Sequence, residues 1–407
     1  MKAPKRTREW WGPPKKFTVN PETRKVSWLE LFFDLVYVIA IAKITHHLSE
    51  GMHSENILEF IFFFILIFWG WLNGSMYHDL HGAEGWRTRF MTLWQMLIVS
   101  ALVITLDSPA ESFVFNVTTA LILLQIFIIY LWWSVGLYDK EHRKLNRPYS
   151  IIYLAALALM VTTLFLKDPF IIQVILFSSL FLNYLPPFVL YALSKVRTNR
   201  FVLSESMTER LGLFTIIIFG EVIAGVISGV TALHQLNLKI WINFSLAVIL
   251  VFALWWLFFT LISDRRCKKG MLNSSILQIL YIPTLLGLDL LAMAFSKLFT
   301  DSGLYIFDII NLKQLSGFSM SLFLFGMFLM TFVLKYAEQY YILRKRIQWI
   351  IFSSAFILMI FSLVNIELSL GTFLFTLLLF VLSIIILLNY QWYGIQVKKN
   401  KAIQDQN

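Results

Sequence analysis

The chain has 407 residues, of which 58% are hydrophobic and only 14% are charged, and its formal net charge is +10. A soluble domain has about a quarter charged residues, so most of this surface must face something other than water. The composition excludes an ordinary soluble enzyme and predicts an all-α integral membrane protein in contact with the lipid bilayer.

Residues 1–26 form a basic tail before the first apolar segment. Its basic residues are Lys2, Lys5, Arg6, Arg8, Lys15, Lys16, Arg24 and Lys25. Beside a hydrophobic protein, such a run is typical of contact with the anionic lipids of the cytoplasmic leaflet. We therefore expect the tail to lie on the cytoplasmic surface of the bilayer, and we expect no nucleic acid as a partner.

Twelve apolar segments follow, each close to the length of about 20 residues that a helix needs to cross the hydrocarbon core. Runs of this length are typical of helices rather than of barrel strands. The predicted spans are residues 27–48, 55–77, 89–107, 112–137, 149–166, 169–194, 207–231, 239–263, 271–296, 316–337, 347–366 and 370–392.

The Lys and Arg residues of the connections predict the orientation, because cytoplasmic loops are enriched in both. The connections alternate regularly between basic and non-basic, beginning with the basic tail. The non-basic side holds only Lys167, Lys239, Lys297 and Lys313. The alternation predicts twelve spans with both termini in the cytoplasm, and we expect the membrane to be the cell (plasma) membrane.

Several residues of the first half recur in the second half in the same order. The matches are Ser27 with Ser206, Glu30 with Glu209, Trp71 with Trp256 and Asp79 with Asp264. Because six spans is an even number, the two halves would share one orientation. We therefore predict two parallel six-helix repeats, residues 27–200 and 201–394, followed by a cytoplasmic tail, residues 395–407.

Ionisable side chains within the predicted spans are candidates for function, because each costs roughly 2.5–3.5 kcal/mol to insert. Glu30 and Asp34 lie four residues apart on one helix face, so a cation, a basic partner or a shared proton must offset their repulsion. A charged entrance stabilised by the helix N-terminus explains the pair equally well. Glu221, near the middle of the seventh segment, suits a proton-carrying site, and Asp289 lies in the ninth segment.

An acidic residue precedes a basic loop in both halves. Asp79 stands before Arg87 and Arg89, and we expect an ion pair between Asp79 and one of these arginines. Asp264 beside Arg265 repeats this pattern, which resembles the gating loops of major facilitator transporters. These five residues are therefore candidates for gating or for ion pairs.

The sequence carries no motif that predicts a metal or cofactor site. His78 and His81 flank Asp79, but two or three ligands in one loop do not make a metal site. A phosphate-binding glycine loop, a nucleophile elbow and a zincin helix are all absent from the sequence. We therefore expect neither a metal ion nor a cofactor.

Three stretches resemble one bacterial family. Residues 26–38 resemble the opening signature of the low temperature requirement A family, residues 208–221 resemble its second signature, and residues 89–97 are similar to its third-span pattern. The resemblance covers residues 25–390. It points to Glu30, Asp34, Glu209, Arg210 and Glu221 as site residues. The family name records growth in the cold, so the resemblance implies no substrate or reaction.

Three functions are compatible with these features. The first is a secondary transporter of a small solute, in which Glu221 carries a proton and Glu30 and Asp34 line the cytoplasmic entrance. The second is a membrane-embedded enzyme acting on a lipid or isoprenoid, with Glu30 and Asp34 as acid and base or as ligands of a divalent cation that bridges a phosphate. The third is a non-catalytic sensor or scaffold. We favour transport over both alternatives.

Overall fold

A computed structural model describes most of the chain, and the described residues are almost entirely helical. A short antiparallel hairpin is formed by β1 (Tyr305–Ile306) and β2 (Ile310–Asn311). The basic tail up to residue 24 and Asp264 lie outside the described residues. The described ranges are 25–50, 54–82, 85–138, 140–193, 201–233, 235–263, 265–300, 305–306, 310–336, 341–364 and 368–404.

Each of the twelve predicted segments overlaps a helix, and two helices share the segment 169–194. A π-helical turn, Phe259–Ser263, continues α9. The helices are α1 (Trp28–Glu50), α2 (Ser54–His81), α3 (Trp86–Thr105), α4 (Ala110–Tyr138), α5 (Lys140–Thr163), α6 (Pro169–Tyr184), α7 (Pro186–Leu193), α8 (Glu205–Thr231), α9 (Leu238–Phe258), α10 (Met271–Leu298), α11 (Leu312–Val333), α12 (Tyr341–Leu363) and α13 (Leu370–Gln404).

Nine helices within the described ranges are long and apolar enough to cross a membrane. The pair α6 and α7, bent by 44° at a short break, would make a tenth span. The helices α1 and α5 are not among them. The protein is thus a multi-pass helical membrane protein, whereas the number of twelve crossings stays a prediction.

Local sequence explains the ends of the broken helix pair. Asp168 caps α6, because its carboxylate accepts hydrogen bonds from the N–H groups of Phe170 (2.9 Å) and Ile171 (3.2 Å). Pro169 occupies the first helical position, where its missing N–H costs nothing. At the other end, Leu185 keeps helical backbone angles, but Pro186 and Pro187 have no N–H groups to continue the helix hydrogen bonds, and α7 begins in a new direction.

Contacts between helices divide the chain into two compact units. Unit 1 comprises Met1–Glu50, Glu55–Phe214 and Lys269–Ser275. Unit 2 comprises Gly51–Ser54, Thr215–Lys268 and Ile276–Asn407. The boundary between them falls inside α8, and the predicted division at residue 200 stays a prediction.

In unit 1, most of the helices that contact each other are one or two places apart in chain order. Helix α1 packs on α3, α3 on α4, α4 on α5, and α5 on both α6 and α7. Helix α2 contacts α6 through polar groups, since Trp69 Nε1 donates to the Asn183 carbonyl and the Tyr184 hydroxyl donates to the Ile65 carbonyl, each at 2.9 Å. These bonds fix the position of α2, whose aromatic side chains are deeply buried.

Buried amide side chains in unit 1 form hydrogen bonds between helices. Gln125 of α4 and Asn183 of α6 exchange two amide hydrogen bonds of 2.9 and 3.0 Å. Asn73 of α2 accepts from Trp132 Nε1 at 3.0 Å and from the Tyr153 hydroxyl at 2.9 Å. An unpaired polar group is costly in an apolar interior, so these bonds specify one arrangement of the helices.

Unit 2 relies instead on glycines that allow close approach of backbones. Helix α11 packs on α12, and α13 packs on both α12 and α9. Gly225 of α8 faces α10, where an added Cβ would overlap the Ala292 carbonyl oxygen. A Cβ at Gly229 would lie 2.5 Å from the Phe295 carbonyl oxygen. The four-residue spacing of these glycines is typical of such packing.

Gly225→Ala is expected to lower the free energy of unfolding of the purified protein by about 1–3 kcal/mol, because the methyl group forces α8 and α10 apart. Gly220→Ala on the same helix is the control, since a Cβ there meets nothing within 4 Å. That change should be neutral or stabilising by up to about 1 kcal/mol. Thermal unfolding in detergent measures both, and equal melting temperatures for the two variants would contradict the packing role.

Candidate functional site

Ser27 and Glu30 close the N-terminus of α1 as a capping box. The Ser27 backbone N–H and hydroxyl each donate to Glu30 Oε2 at 2.9 Å, and the Glu30 N–H donates to Ser27 Oγ at 3.3 Å. Ser-x-x-Glu is the sequence pattern of this motif. Glu30 therefore serves the helix N-terminus, which is one of the two interpretations that the sequence allows.

The other carboxylate oxygen of Glu30 faces Arg210 of α8. Arg210 Nη1 lies 3.4 Å from Glu30 Oε1, while Arg210 Nε donates to Asp34 Oδ2 at 3.3 Å and Nη2 donates to Asp34 Oδ1. Both Asp34 and Arg210 have completely buried side chains, and that of Glu30 is 5% exposed. Arg210 is thus the basic partner that the two carboxylates require. We call Glu30, Asp34 and Arg210 the buried triad.

Aromatic rings enclose the buried triad. Trp71 Nε1 donates to Asp34 Oδ1 at 2.7 Å. The guanidinium carbon of Arg210 lies 5.6 Å from the centroid of the Phe33 ring and 5.8 Å from that of Trp71. Trp71 in turn packs on Phe214, with 4.4 Å between ring centroids. Interactions between charges are strong in such an apolar environment.

The start of α8, and with it Arg210, is held by the end of α2. Ser204 caps α8, since its Oγ accepts from the Met207 N–H at 2.9 Å. The Ser204 hydroxyl donates to Asp79 Oδ2 at 2.6 Å, and the Ser206 hydroxyl donates to Asp79 Oδ1. The role of Asp79 that the structure describes is therefore to position α8.

A second layer of polar contacts supports α1 next to the triad. Gln95 of α3 donates to the Tyr37 hydroxyl at 2.7 Å and to the Gly70 carbonyl at 2.8 Å. The amide of Gln95 occupies the space beside Gly74, because a Cβ added at Gly74 would lie 2.5 Å from Gln95 Oε1. The side chain of Gln95 thereby ties α1, α2 and α3 together.

The other gating candidates, Arg87, Arg89 and Arg265, differ in burial and in their contacts. Arg87 is buried and donates to the Ser134 hydroxyl at 2.8 Å, whereas Arg89 is exposed. An ion pair between Asp79 and either arginine stays a prediction. Arg265 lies two residues beyond the π-helical turn and is half-buried, and its predicted partner Asp264 lies outside the described residues.

Three other predicted site residues lie on α8 and α10. Glu209 precedes Arg210 but is exposed. Glu221 is half-buried, and within the described residues it makes no hydrogen bond or ion pair. Asp289 is completely buried. Their roles in function stay predictions.

The far end of α1 carries a separate group of charges. Lys43 Nζ lies 3.0 Å from Asp107 Oδ2, and His47 Nδ1 lies 3.9 Å from Asp107 Oδ1. These side chains are between 38% and 54% exposed. Over the part of the chain that the structure describes, no group of three His, Cys, Asp or Glu side chains is placed to hold a metal ion.

The sequence did not reveal the partners that complete the site. Nothing in an apolar segment marks Trp71 as a donor to Asp34, and Ser204 carries no motif. Gln95 lies in the stretch that resembles the third-span pattern, but that resemblance assigns it no role. One general signal was available, because a buried indole N–H or amide in a spanning helix must find a partner. Counting such groups would have selected Trp71 and Gln95 but not their acceptors.

The charge of the buried triad depends on one proton. With both carboxylates ionised, two negative groups face one guanidinium, and one proton makes the three groups neutral. The carboxylates belong to α1 and the guanidinium to α8. Protonation would therefore change the attraction between these two helices.

Arg210→Gln is expected to destabilise the protein by about 3–5 kcal/mol, because it leaves buried carboxylates without their cation. Glu209→Gln, one residue earlier and exposed, is the matched control and should change the free energy of unfolding by less than about 0.5 kcal/mol. Thermal or denaturant unfolding in detergent measures both variants. Similar stabilities for the two would show that the triad is not a buried ion pair.

Comparison with known proteins identifies the family. A family model described as bacterial low temperature requirement A protein (LtrA) matches residues 25–388, which include the triad. The chain is also similar to Uncharacterized protein RA0937 of Rhizobium meliloti (strain 1021), with 22% identity over 262 residues, or 62% of each chain. No solved structure matches the chain. Since the family model matches nearly the whole chain, the protein belongs to the bacterial low temperature requirement A (LtrA) family.

Proposed function

We propose that the protein is a secondary transporter of a small solute and that protonation of the buried triad is coupled to transport. The observation that carries this proposal is the complete burial of Asp34 and Arg210, with Glu30 beside them, in a multi-pass membrane protein. Packed apolar residues often stabilise a protein as well as a buried ion pair does. Charges within membrane helices are instead typical of ion and proton pathways.

The proton acts by changing which carboxylate holds Arg210. With Asp34 ionised, Nε and Nη2 of Arg210 both contact it, and the start of α8 is held against α1. A proton on Asp34 removes this charge and leaves Glu30 as the partner of Arg210. The two helices then separate more easily, and the population shifts toward a second conformation. Glu221, half-buried further along α8, is the second proton-carrying group that we propose.

An internal repeat supports transport, because many transporters consist of two similar halves. The helix neighbours in the two units correspond when α1 is matched with α8, α2 with α9, α3 with α10, α4 with α11, α5 with α12 and the pair α6 and α7 with α13. Helix α4 packs on α5 as α11 packs on α12, and α5 packs on α6 and α7 as α12 packs on α13. Helix α1 packs on α3 as α8 packs on α10, and α2 contacts α6 as α9 packs on α13.

The matched positions differ in the residues that form the site. Trp71 is fully buried, whereas its counterpart Trp256 is 44% exposed. Glu30 belongs to the triad, whereas its counterpart Glu209 is exposed. We therefore propose that two parallel repeats form the transporter, with the carboxylates of the triad in the first repeat and Arg210 at the start of the second.

The orientation follows from the distribution of basic residues. We propose that both termini lie in the cytoplasm, that the protein resides in the plasma membrane and crosses it twelve times, and that the basic tail contacts anionic lipids. Glu30 lies at the start of α1. This orientation puts the triad near the cytoplasmic end of that helix.

Proton movement in proteoliposomes tests the function. The full-length protein is reconstituted with an entrapped pH-sensitive dye, and pools of sugars, polyols, amino acids or organic acids are added outside. At least one pool should change the internal pH with the wild-type protein. Asp34→Asn should reduce this change to the rate of empty liposomes, because the triad can no longer exchange a proton at that position.

Glu209→Gln is the control for Asp34→Asn and should keep the wild-type rate, since that side chain is exposed. Glu221→Gln should reduce the rate. If no pool moves protons with folded wild-type protein, or if Asp34→Asn keeps the full rate, proton-coupled transport through the triad is wrong.

A further inference from the structure

Unit 2 contains a cavity of about 380 Å³ between α9, α12 and α13. Its size falls within the range of small-molecule sites, about 300–1,000 Å³. Most of its lining is apolar, including Ile347 of α12 and Leu388 of α13. Thr260, Arg265 and Asn389 add polar groups. We call it the α9–α13 cavity.

Arg265 gives the α9–α13 cavity a cationic side. Its Nε donates to the Leu261 carbonyl at 3.0 Å, and no carboxylate within the described residues pairs with its guanidinium. The guanidinium carbon lies 4.3 Å from the centroid of the Tyr336 ring, and that of Arg344 lies 5.6 Å from the same centroid. Two guanidinium groups on one ring create a positive potential that favours an anion.

Further cations surround this region. Lys268 Nζ donates to the Phe332 carbonyl at 2.6 Å. Its burial, together with the charge of Arg344, lowers the pKa of Lys268. Arg346, near the start of α12, donates to the Gln391 amide oxygen at 2.6 Å, two residues beyond Asn389 on α13. The cations are thus held close together although they repel one another. An anionic ligand between them would reduce this repulsion.

The π-helical turn Phe259–Ser263 forms one wall of the α9–α13 cavity. Thr260 and Leu261, which line the cavity, lie within this turn. A π-helical turn holds one more residue than an α-helical turn. Such turns are frequent at functional sites.

We propose that the α9–α13 cavity binds one anionic phospholipid, with its phosphate on Arg265 and an acyl chain along Ile347 and Leu388. Arginine binds phosphate oxygens in a bidentate manner. The apolar walls belong to membrane-spanning helices and suit an acyl chain, while Trp256, 44% exposed on the same wall, suits the level of the lipid headgroups. The cluster of cations favours a headgroup with a net negative charge over phosphatidylcholine, whose choline it repels.

Native mass spectrometry of the full-length protein in detergent tests this site with phosphatidylglycerol and phosphatidylcholine. The wild-type protein should bind phosphatidylglycerol about tenfold more tightly, because the cluster of cations repels the choline of phosphatidylcholine. Arg265→Gln should remove this preference. Arg266→Gln is the matched control, because Arg266 is the exposed neighbour and does not line the cavity. Equal affinity for the two lipids, or equal losses in both variants, would overturn the proposal.

A second pair of variants tests the acyl-chain part without changing any charge. Leu388→Trp fills the cavity and should abolish phosphatidylglycerol binding, whereas Ile386→Trp, at a position that is 67% exposed, should not. This pair remains decisive if Arg265→Gln fails to fold. Inorganic phosphate should not displace the lipid. Binding that survives Leu388→Trp, or that phosphate displaces, would indicate a surface phosphate site and overturn the lipid site.

Discussion

The buried charge of Arg210 is the constraint on which the first unit depends. Hydrocarbon cannot solvate a guanidinium ion, and its transfer from water costs several kcal/mol even after relaxation. Asp34 accepts two hydrogen bonds from Arg210, Glu30 lies opposite Nη1, and Trp71 binds the same carboxylate of Asp34. These contacts bring α1, α2 and the start of α8 to one point, although Asp34 and Arg210 are 176 residues apart in the chain.

Different interactions hold the helices together in the two units. In unit 1 the helices are joined by buried polar groups, such as the paired amides of Gln125 and Asn183. In unit 2 the glycines of α8 let backbones approach closely, as Gly225 does at Ala292. Both devices replace the hydrophobic effect, which gives no preference for helix over lipid within the bilayer. Helix packing in the two units thus rests on different side-chain chemistry.

Helix positions follow from the sequence because only long apolar runs can cross the hydrocarbon core. The ends of the helices and their packing partners depend on neighbouring polar residues and on tertiary contacts. Helix α5 begins at Lys140 rather than at residue 149, since polar residues of the connection continue the helix beyond the apolar run. The four-residue spacing of Glu30 and Asp34 predicts that a cation, a basic partner or a shared proton offsets their repulsion, and the structure places the guanidinium of Arg210 against both carboxylates. That this cation is Arg210 could not be derived from the residues themselves, and only the family resemblance drew attention to it. The π-helical turn after α9 has no sequence signal.

The coupling free energy between Asp34 and Arg210 tests the central claim most directly. A double-mutant cycle compares the unfolding of the wild-type protein, Asp34→Asn, Arg210→Gln and the double variant in detergent. We predict a coupling of at least about 1.5 kcal/mol, because the side chains of Asp34 and Arg210 contact each other directly in a buried site. Additive effects of the two substitutions would contradict it, since independent residues cannot form the proton-sensitive pair that joins α1 to α8.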